Sequence, residues 1–100
     1  MKIALVGDIM VSRFFGVFDN DCFMKVASEI SECDVALGNL ETVFHDYQFP
    51  PAAESGGSWM RCPPSVAGSL KEIGFSMLSL ANNHAGDWGI AGMETTKRSL

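Results

Sequence analysis

Three short apolar runs, each followed by glycine or by polar residues, constrain the fold of this 100-residue chain more than any other feature. They cover residues 2–6, 35–37 and 75–80. Short and nearly continuous apolar runs are typical of strands that are buried on both faces of a parallel sheet. We therefore predict three buried parallel strands.

Segments with helical spacing alternate with these runs. Apolar residues recur at intervals of three and four within 20–32 and within 64–73, and a last helix begins near 88–90 without an evident capping residue. The acidic and amide residues at 19–21 are candidate N-caps of the first helix, and Gly74 suits the end of the second. Alternating strands and helices predict an α/β fold, with a parallel sheet layered with helices and right-handed crossovers.

Composition and charge narrow the class of protein. A chain of 100 residues builds one core, and its 47% apolar and 19% charged residues are ordinary for a globular domain. The net charge of -5 argues against a nucleic-acid partner, because such proteins present an excess of Lys and Arg. We predict that residues 1–100 form one domain that is truncated at its C-terminal end, since the last predicted helix is still continuing at Leu100.

The cysteines and the N-terminus bear on the compartment. Cys22, Cys33 and Cys62 are odd in number and contain no C-x-x-C pair, which argues against a disulfide framework and a structural zinc site. We expect three buried thiols in a reducing compartment. The first apolar run is too short for a signal peptide or a membrane span, so the cytoplasm is the default expectation.

Residues 42–62 contain no clear helix or strand. The segment includes Pro50-Pro51 and a serine- and glycine-rich run at 55–58. We predict a long loop that can carry a short hairpin, and either forms one wall of a site or is disordered. His45 and Asp46 have no pattern around them and are expected to be solvated.

Polar side chains cluster where the three predicted strands end, which is where ligands bind in parallel α/β sheets. The candidates are Asp8 after the first strand, Asn39 and Glu41 after the second, and Asn82, Asn83, His84 and Asp87 after the third. Carboxylate oxygen, amide oxygen and imidazole nitrogen suit Mn, Fe or Zn. We predict a divalent metal site, with one ion or two.

Each of these residues also has a structural alternative. Asp8 and Asp87 can cap a helix or shape a turn. The asparagines at 82–83 are common turn residues, and Glu41 and His84 can be solvated. Convergence at one edge of the sheet, rather than any single residue, favours a site.

Other candidates are weaker. Arg13 can bind an anion through its planar guanidinium, or can simply be an exposed arginine. Phe14, Phe15 and Phe18 are expected in the core or in a hydrophobic lip. The chain lacks the G-x-G-x-x-G, G-x-x-x-x-G-K-[ST] and H-E-x-x-H motifs, so dinucleotide, P-loop and zincin functions are disfavoured.

Four motifs together resemble the N-terminal third of the CapA family, the poly-gamma-glutamate capsule-synthesis proteins. They are Gly7-Asp8-Ile9-Met10 with Arg13, Gly38-Asn39-Leu40-Glu41-Thr42, Arg61-Cys62-Pro63-Pro64, and Leu80-Ala81-Asn82-Asn83-His84 with Asp87 and Gly89. The resemblance covers nearly the whole chain in order and spacing, and the Ala-Asn-Asn-His segment is its most specific part.

The resemblance implies a relationship to the calcineurin-like metallophosphoesterases, which are four-layered α/β/β/α proteins with a binuclear metal centre. It implies that Asp8, Glu41 and Asn83 are metal ligands and that His84 is the catalytic imidazole. Asn39, Asn82 and Asp87 would support them, and Arg13 would contact the substrate. The implied activity is hydrolysis of a phosphoester or related bond in a small-molecule or polymer substrate during capsule synthesis.

Three departures qualify that expectation. Met10 stands where the superfamily has a histidine two residues after its aspartate. The histidines that complete the superfamily's metal centre come from beyond residue 100, and many relatives carry a membrane anchor. A truncated or degenerate domain that acts as a binding or scaffold module is therefore the alternative, and a small nucleotide-binding domain is a third possibility that the glycine pattern does not support.

Overall fold

The computed structural model describes residues 1–13, 15 and 20–100. Its elements in chain order are β1 (Ile3–Ile9), α1 (Asp21–Ser31), β2 (Val35–Leu40), β3 (Val43–Phe44), β4 (Arg61–Cys62), α2 (Val66–Ile73), β5 (Met77–Ser79) and α3 (Gly89–Ser99). The strands β1, β2 and β5 form a parallel sheet in the order β1-β2-β5. The predicted α/β fold with a parallel sheet is confirmed, although Asp8 and Asn39 lie within their strands rather than after them.

Two of the helices begin and end where the sequence predicts. The Asn20 Oδ1 accepts hydrogen bonds from the backbone N–H groups of Cys22 and Phe23, at 3.0 and 3.1 Å. Gly74 ends α2 with a φ of 111°, and a Cβ there would lie 2.7 Å from the Cα of Ser31. Glycine is therefore required at position 74 both by backbone conformation and by the close approach of α1.

One face of the sheet carries the core. Ala36 and Leu40 of β2 are buried against helices α1 and α2, which contact each other on this side. The helices contribute Ala27, Ile30, Val66, Leu70 and Ile73 to the same cluster. Burial of these apolar side chains is the main force that holds the layers together.

The opposite face of the sheet is apolar and open. Leu5 pairs in register with Leu37, which pairs with Met77, so these three side chains share a face. Leu5 is 78% exposed and Met77 is 57% exposed. The prediction that the first strand is buried on both faces is wrong, because α1 and α2 both pack on the other side and α3 packs on β3 instead.

Residues 42–62 are ordered by a small second sheet. β3 and β4 pair in parallel, with Val43 opposite Arg61 and Phe44 opposite Cys62. The predicted hairpin is wrong, because the intervening chain is long enough to return to the start of β3 and run in the same direction. The segment is ordered by this pairing, so the alternative of disorder is wrong, and the prediction that it forms one wall of a site stays a prediction.

The thiols differ in their surroundings. Cys62 is fully buried beside the core, whereas Cys22 is exposed on α1 and Cys33 is intermediate. The prediction of three buried thiols is therefore wrong for Cys22. Burial raises the pKa of the Cys62 thiol, since the thiolate would lose its hydration.

None of the helices formed by the described residues is both long and apolar enough to cross a membrane.

Candidate functional site

The first part of the site lies at the carboxyl ends of β1 and β2. The Asn39 side-chain nitrogen donates to the Asp8 Oδ1 at 2.8 Å and to the Glu41 Oε1 at 2.6 Å. Asp8 and Asn39 are also partners in the strand register, and the Glu41 backbone N–H donates to the carbonyl of Ile9 at 3.1 Å. The structure thus brings together the three candidate residues that the sequence places at the ends of the first two strands, Asp8, Asn39 and Glu41.

Asn82 connects this group to the third strand end. Its side-chain nitrogen donates to the Asn39 Oδ1 at 3.0 Å and to the Leu40 carbonyl at 2.8 Å. Its Oδ1 accepts the His84 backbone N–H at 3.0 Å. Because both ends of the amide are used, Asn82 acts as a bridge between β2 and the turn that carries His84.

His84 and Asp87 form a buried pair. The His84 Nδ1 lies 2.8 Å from the Asp87 Oδ2, and that oxygen also accepts the Met60 backbone N–H at 3.0 Å. Asp87 is 1% exposed and His84 is 9% exposed. His84 is therefore not the solvated imidazole that was one alternative, and α3 begins without a side-chain cap, so Asp87 does not serve as its cap.

Asn83 points toward the long segment. Its side-chain nitrogen lies 3.4 Å from the Gly56 carbonyl oxygen, and a Cβ at Gly56 would lie 2.1 Å from the same nitrogen. Asn83 is exposed and makes no hydrogen bond with the Asp8 and Glu41 group among the described contacts. The structure therefore does not join the predicted amide ligand directly to the two carboxylates.

Arg13 lies on a different surface. It is exposed, and together with Asp8 it lines an open cavity of about 600 Å³ between β1 and the helices α1 and α2. Phe15 packs against the core there, edge-to-face with Phe23 at a ring separation of 6.0 Å. The predictions for Phe14 and Phe18 lie outside the described residues.

His45 is the buried residue that sequence reasoning missed. It is 0% exposed, and its ring lies 4.3 Å from that of Trp88 and 5.7 Å from that of Phe49. Among the described residues, neither ring nitrogen has a hydrogen-bond partner. The prediction that His45 is solvated is wrong, whereas Asp46 is exposed as predicted. The aromatic residues that flank His45 along the chain were the signal for a packed cluster.

Arg61 contacts three neighbouring residues of this segment, His45, Asp46 and Tyr47. Its Nε donates to the His45 carbonyl at 2.8 Å, and its guanidinium lies 3.8 Å from the centre of the Tyr47 ring. The Arg61 Nη2 lies 3.9 Å from the Asp46 Oδ1. A cation over an aromatic ring and a backbone acceptor together hold the segment against β4.

Burial, and then the positive charge of Arg61, lower the pKa of His45 below its ordinary value of 6.5. At pH values between the lowered pKa of folded His45 and 6.5, this imidazole is protonated in the unfolded chain but neutral in the folded chain. The contribution of His45 to the free energy of unfolding is therefore retained above pH 6.5 and is lost as the pH falls through this window.

Comparison with known proteins identifies the family. The family model described as bacterial capsule synthesis protein PGA_cap matches residues 2–100. The chain belongs to this PGA_cap family. The resemblance to the CapA family, seen in four motifs of the sequence, is thereby confirmed.

Individual relatives of this PGA_cap chain are much longer. Two proteins of Sinorhizobium fredii (strain NBRC 101917 / NGR234), named uncharacterized protein y4sH and uncharacterized protein y4uA, are each 37% identical over 98 residues, which is 95% of this chain and 21% of theirs. The capsule biosynthesis protein CapA of Bacillus anthracis is 27% identical over 107 residues, covering 100% of this chain and 26% of the relative. The chain spans about a fifth to a quarter of the length of these relatives.

The donor atoms of this PGA_cap chain fit a divalent metal in part. One Asn39 nitrogen contacts both the Asp8 and Glu41 carboxylates, so the two acceptor oxygens are no farther apart than these two hydrogen bonds combined. Within 1–13, 15 and 20–100, no group of three or more His, Cys, Asp or Glu side chains is placed to hold a metal ion. A divalent ion at this edge of the sheet would meet two carboxylates, those of Asp8 and Glu41, and amide or further groups would have to supply the remaining ligands.

Proposed function

We propose that this chain contributes part of the active centre of a metal-dependent, phosphoesterase-like hydrolase that takes part in capsule synthesis and cleaves a phosphoester or related bond in a small-molecule or polymer substrate. One observation carries the proposal. A continuous series of hydrogen bonds runs from Asp8 through Asn39, Asn82 and His84 to Asp87. It joins polar groups from the ends of three strands in one network, at the edge of the sheet where ligands bind in parallel α/β folds.

The carboxylates and the imidazole have distinct roles in this proposal. Asp8 and Glu41 would hold a Mn, Fe or Zn ion, and Asn83 would join them as an amide ligand once its side chain leaves the Gly56 carbonyl. A metal bound there would activate a water molecule and stabilise negative charge on the group being transferred. The Nε2 of His84 would accept a proton from the attacking water and pass it to the leaving group, because Nδ1 is already hydrogen-bonded to Asp87.

The remaining residues organise these groups. Asn82 fixes the turn that carries His84 to the end of β2, and Asn39 orients both carboxylates. Asp8 and Arg13 line one cavity, so an anionic group of the substrate can contact Arg13 while it lies near Asp8.

We also propose that the chain is the N-terminal part of a four-layered α/β/β/α domain. All-parallel sheets are normally covered on both faces. Here the open face carries Ile3, Leu5 and Met77, and the matched relatives are four to five times as long as the region they share. A second sheet packed on this face would complete the core.

The test is metal binding followed by catalysis, in the longest polypeptide that contains this chain. Binding of Mn²⁺ would be measured by calorimetry in the wild type and in the Asp8→Asn and Glu41→Gln variants, with Glu32→Gln on the exposed end of α1 as the matched control. We expect each site variant to weaken binding at least tenfold and the control to leave it unchanged.

Hydrolysis of a chromogenic phosphodiester would then be followed in the His84→Ala variant. We expect Mn²⁺ binding to be retained and the turnover number to fall by about 10²- to 10⁴-fold, the usual contribution of a general acid or base. Unchanged Mn²⁺ binding in both carboxylate variants, together with unchanged hydrolysis in His84→Ala, would refute the assignment.

A non-catalytic scaffold domain is the second candidate. The observation in its favour is that only two carboxylates meet at the sheet edge among the described residues. It predicts that even the longest polypeptide neither binds Mn²⁺ nor hydrolyses the phosphodiester.

A further inference from the structure

The buried Asp87 carboxylate contacts both the turn that carries His84 and the long segment. It is 1% exposed, its Oδ2 faces both the His84 Nδ1 and the Met60 backbone N–H, and its Oδ1 has no hydrogen-bond partner within the part of the chain that the structure describes. A buried carboxylate is costly unless its contacts repay the lost hydration. Asp87 makes its only side-chain contacts, among those described, with the proposed reactive imidazole and with the long segment.

The segment 52–60 is attached at both ends to this same turn. The Ala52 backbone N–H donates to the Asp87 carbonyl at 2.8 Å, and the Trp88 Nε1 donates to the Met60 carbonyl at 3.1 Å. Within the segment, the Trp59 Nε1 donates a hydrogen bond to the Ala52 carbonyl at 2.9 Å. Between these anchors, Gly56 approaches Asn83.

We propose that Asp87 is a positioning residue that couples the position of the segment 52–60 to the tautomer and orientation of His84. This inference rests on the proposed function only in taking His84 as the reacting imidazole. The structural coupling itself requires neither metal nor substrate.

The direction of the hydrogen bonds follows from Met60. A backbone N–H can only donate, so the Asp87 Oδ2 is an acceptor in that contact. As a carboxylate, Asp87 has no hydrogen to donate, so the same oxygen also accepts from the His84 Nδ1, which carries the hydrogen. In the neutral ring this leaves the Nε2 lone pair free to face the site.

Displacement of the segment would therefore disturb both proposed site residues on this turn. Loss of the Met60 N–H would free the Asp87 carboxylate to rotate, and His84 would lose the acceptor that fixes its ring. The same displacement would remove the Gly56 carbonyl from Asn83. One segment thus positions the imidazole through Asp87 and the neighbouring amide directly.

The test uses nitrogen NMR of the histidine rings and hydrogen exchange of backbone amides in this chain. In the wild type we expect the Nδ1–H tautomer at His84. In Asp87→Ala we expect that tautomer no longer to predominate and the Met60 amide to exchange at least tenfold faster. An Nε2–H tautomer in the wild type, or unchanged Met60 exchange in Asp87→Ala, would overturn the proposal.

Asp87→Asn keeps the test decisive if the alanine variant does not fold. Met60 N–H requires an oxygen opposite it, so the amide should present its oxygen to both Met60 and His84. We expect both the Nδ1–H tautomer and the protection of the Met60 amide to be retained. A change in one of these two readouts without the other would show that they are not coupled.

Activity then separates this inference from the proposed function. If hydrolysis is found, Asp87→Ala should lower the turnover number about 10- to 100-fold with little change in KM, as expected for a residue that orients a reacting group. If His84→Ala has no effect on hydrolysis, the proposed function fails while the tautomer and exchange results still decide the coupling.

Discussion

Replacement of Gly92 by alanine tests how α3 holds the turn that carries the site. A Cβ at Gly92 would lie 2.7 Å from the Trp88 Cβ and 3.1 Å from the Val43 Cγ1. The valine methyl can rotate, but the Trp88 Cβ is bonded directly to the backbone and cannot move without the turn. Gly92→Ala must therefore push α3 away from β3 or shift Trp88, which adjoins Asp87.

Gly68→Ala is the matched control. Gly68 lies in α2, and a Cβ there would meet no atom within 4 Å. The alanine should raise the free energy of unfolding by about 0.5–1 kcal/mol, the usual gain over glycine within a helix. A similar gain at Gly92 is opposed by about 1–3 kcal/mol of overpacking, so the two variants should differ by about that amount.

The assay is urea unfolding at pH 7.5, followed by circular dichroism and by tryptophan fluorescence. Coincident transitions by the two probes would establish two-state behaviour. We expect Gly92→Ala to be the less stable variant and to change the tryptophan signal of the native state. Equal stability of the two alanine variants would refute the docking of α3 that is described here.

Two further predictions concern His45 and the thiols. Acid should destabilise the wild type as the pH falls below about 6.5, and His45→Phe should flatten this part of the stability curve. The measurement is the urea midpoint of unfolding between pH 5 and 8. An equal slope in both proteins would contradict the burial of a neutral imidazole. In the native protein at pH 8, iodoacetamide should label Cys22 rapidly and leave Cys62 unmodified until urea is added. The reason is that Cys62 is fully buried and that burial raises the pKa of its thiol. Labelling of Cys62 in the native protein as fast as that of Cys22, measured by mass spectrometry, would contradict this.

The open face of the sheet is relevant to all of these measurements. Exposed apolar surface of this kind promotes association of the isolated chain. Unfolding experiments should therefore be checked for dependence on protein concentration, since association through the Leu5 and Met77 face would raise the apparent stability.

Local patterns were sufficient for the helices and for the edge of the sheet where polar residues gather. The spacing of apolar residues located α1 and α2 to within about two residues. Asn20 begins α1 because its side chain accepts hydrogen bonds from the first turn, and Gly74 ends α2 because glycine tolerates a positive φ. The parallel topology also followed from element order. These features depend on residues close in sequence, or on chain connectivity.

Burial and partnership depended on tertiary structure. Leu5 has the character of a buried strand residue yet lies exposed, because both neighbouring helices pack on the opposite face of the sheet. His45 was expected to be solvated yet is enclosed, because the turn that leads into α3 places Trp88 against its ring. The side of a sheet that helices cover is not encoded in the alternation of a single strand.

The same distinction applies to the site. The sequence by itself determined which chemical groups gather at the carboxyl-end edge of the sheet, and it singled out Asp8, Glu41, Asn83 and His84 as candidates for the metal and the catalytic imidazole. Only the tertiary structure decided that Asn39 and Asn82 link the strand ends and that Asp87 faces His84 and Met60 at once. The physical reason is that hydrogen-bond partners across 27 or more residues depend on how separate elements pack, which no local spacing specifies.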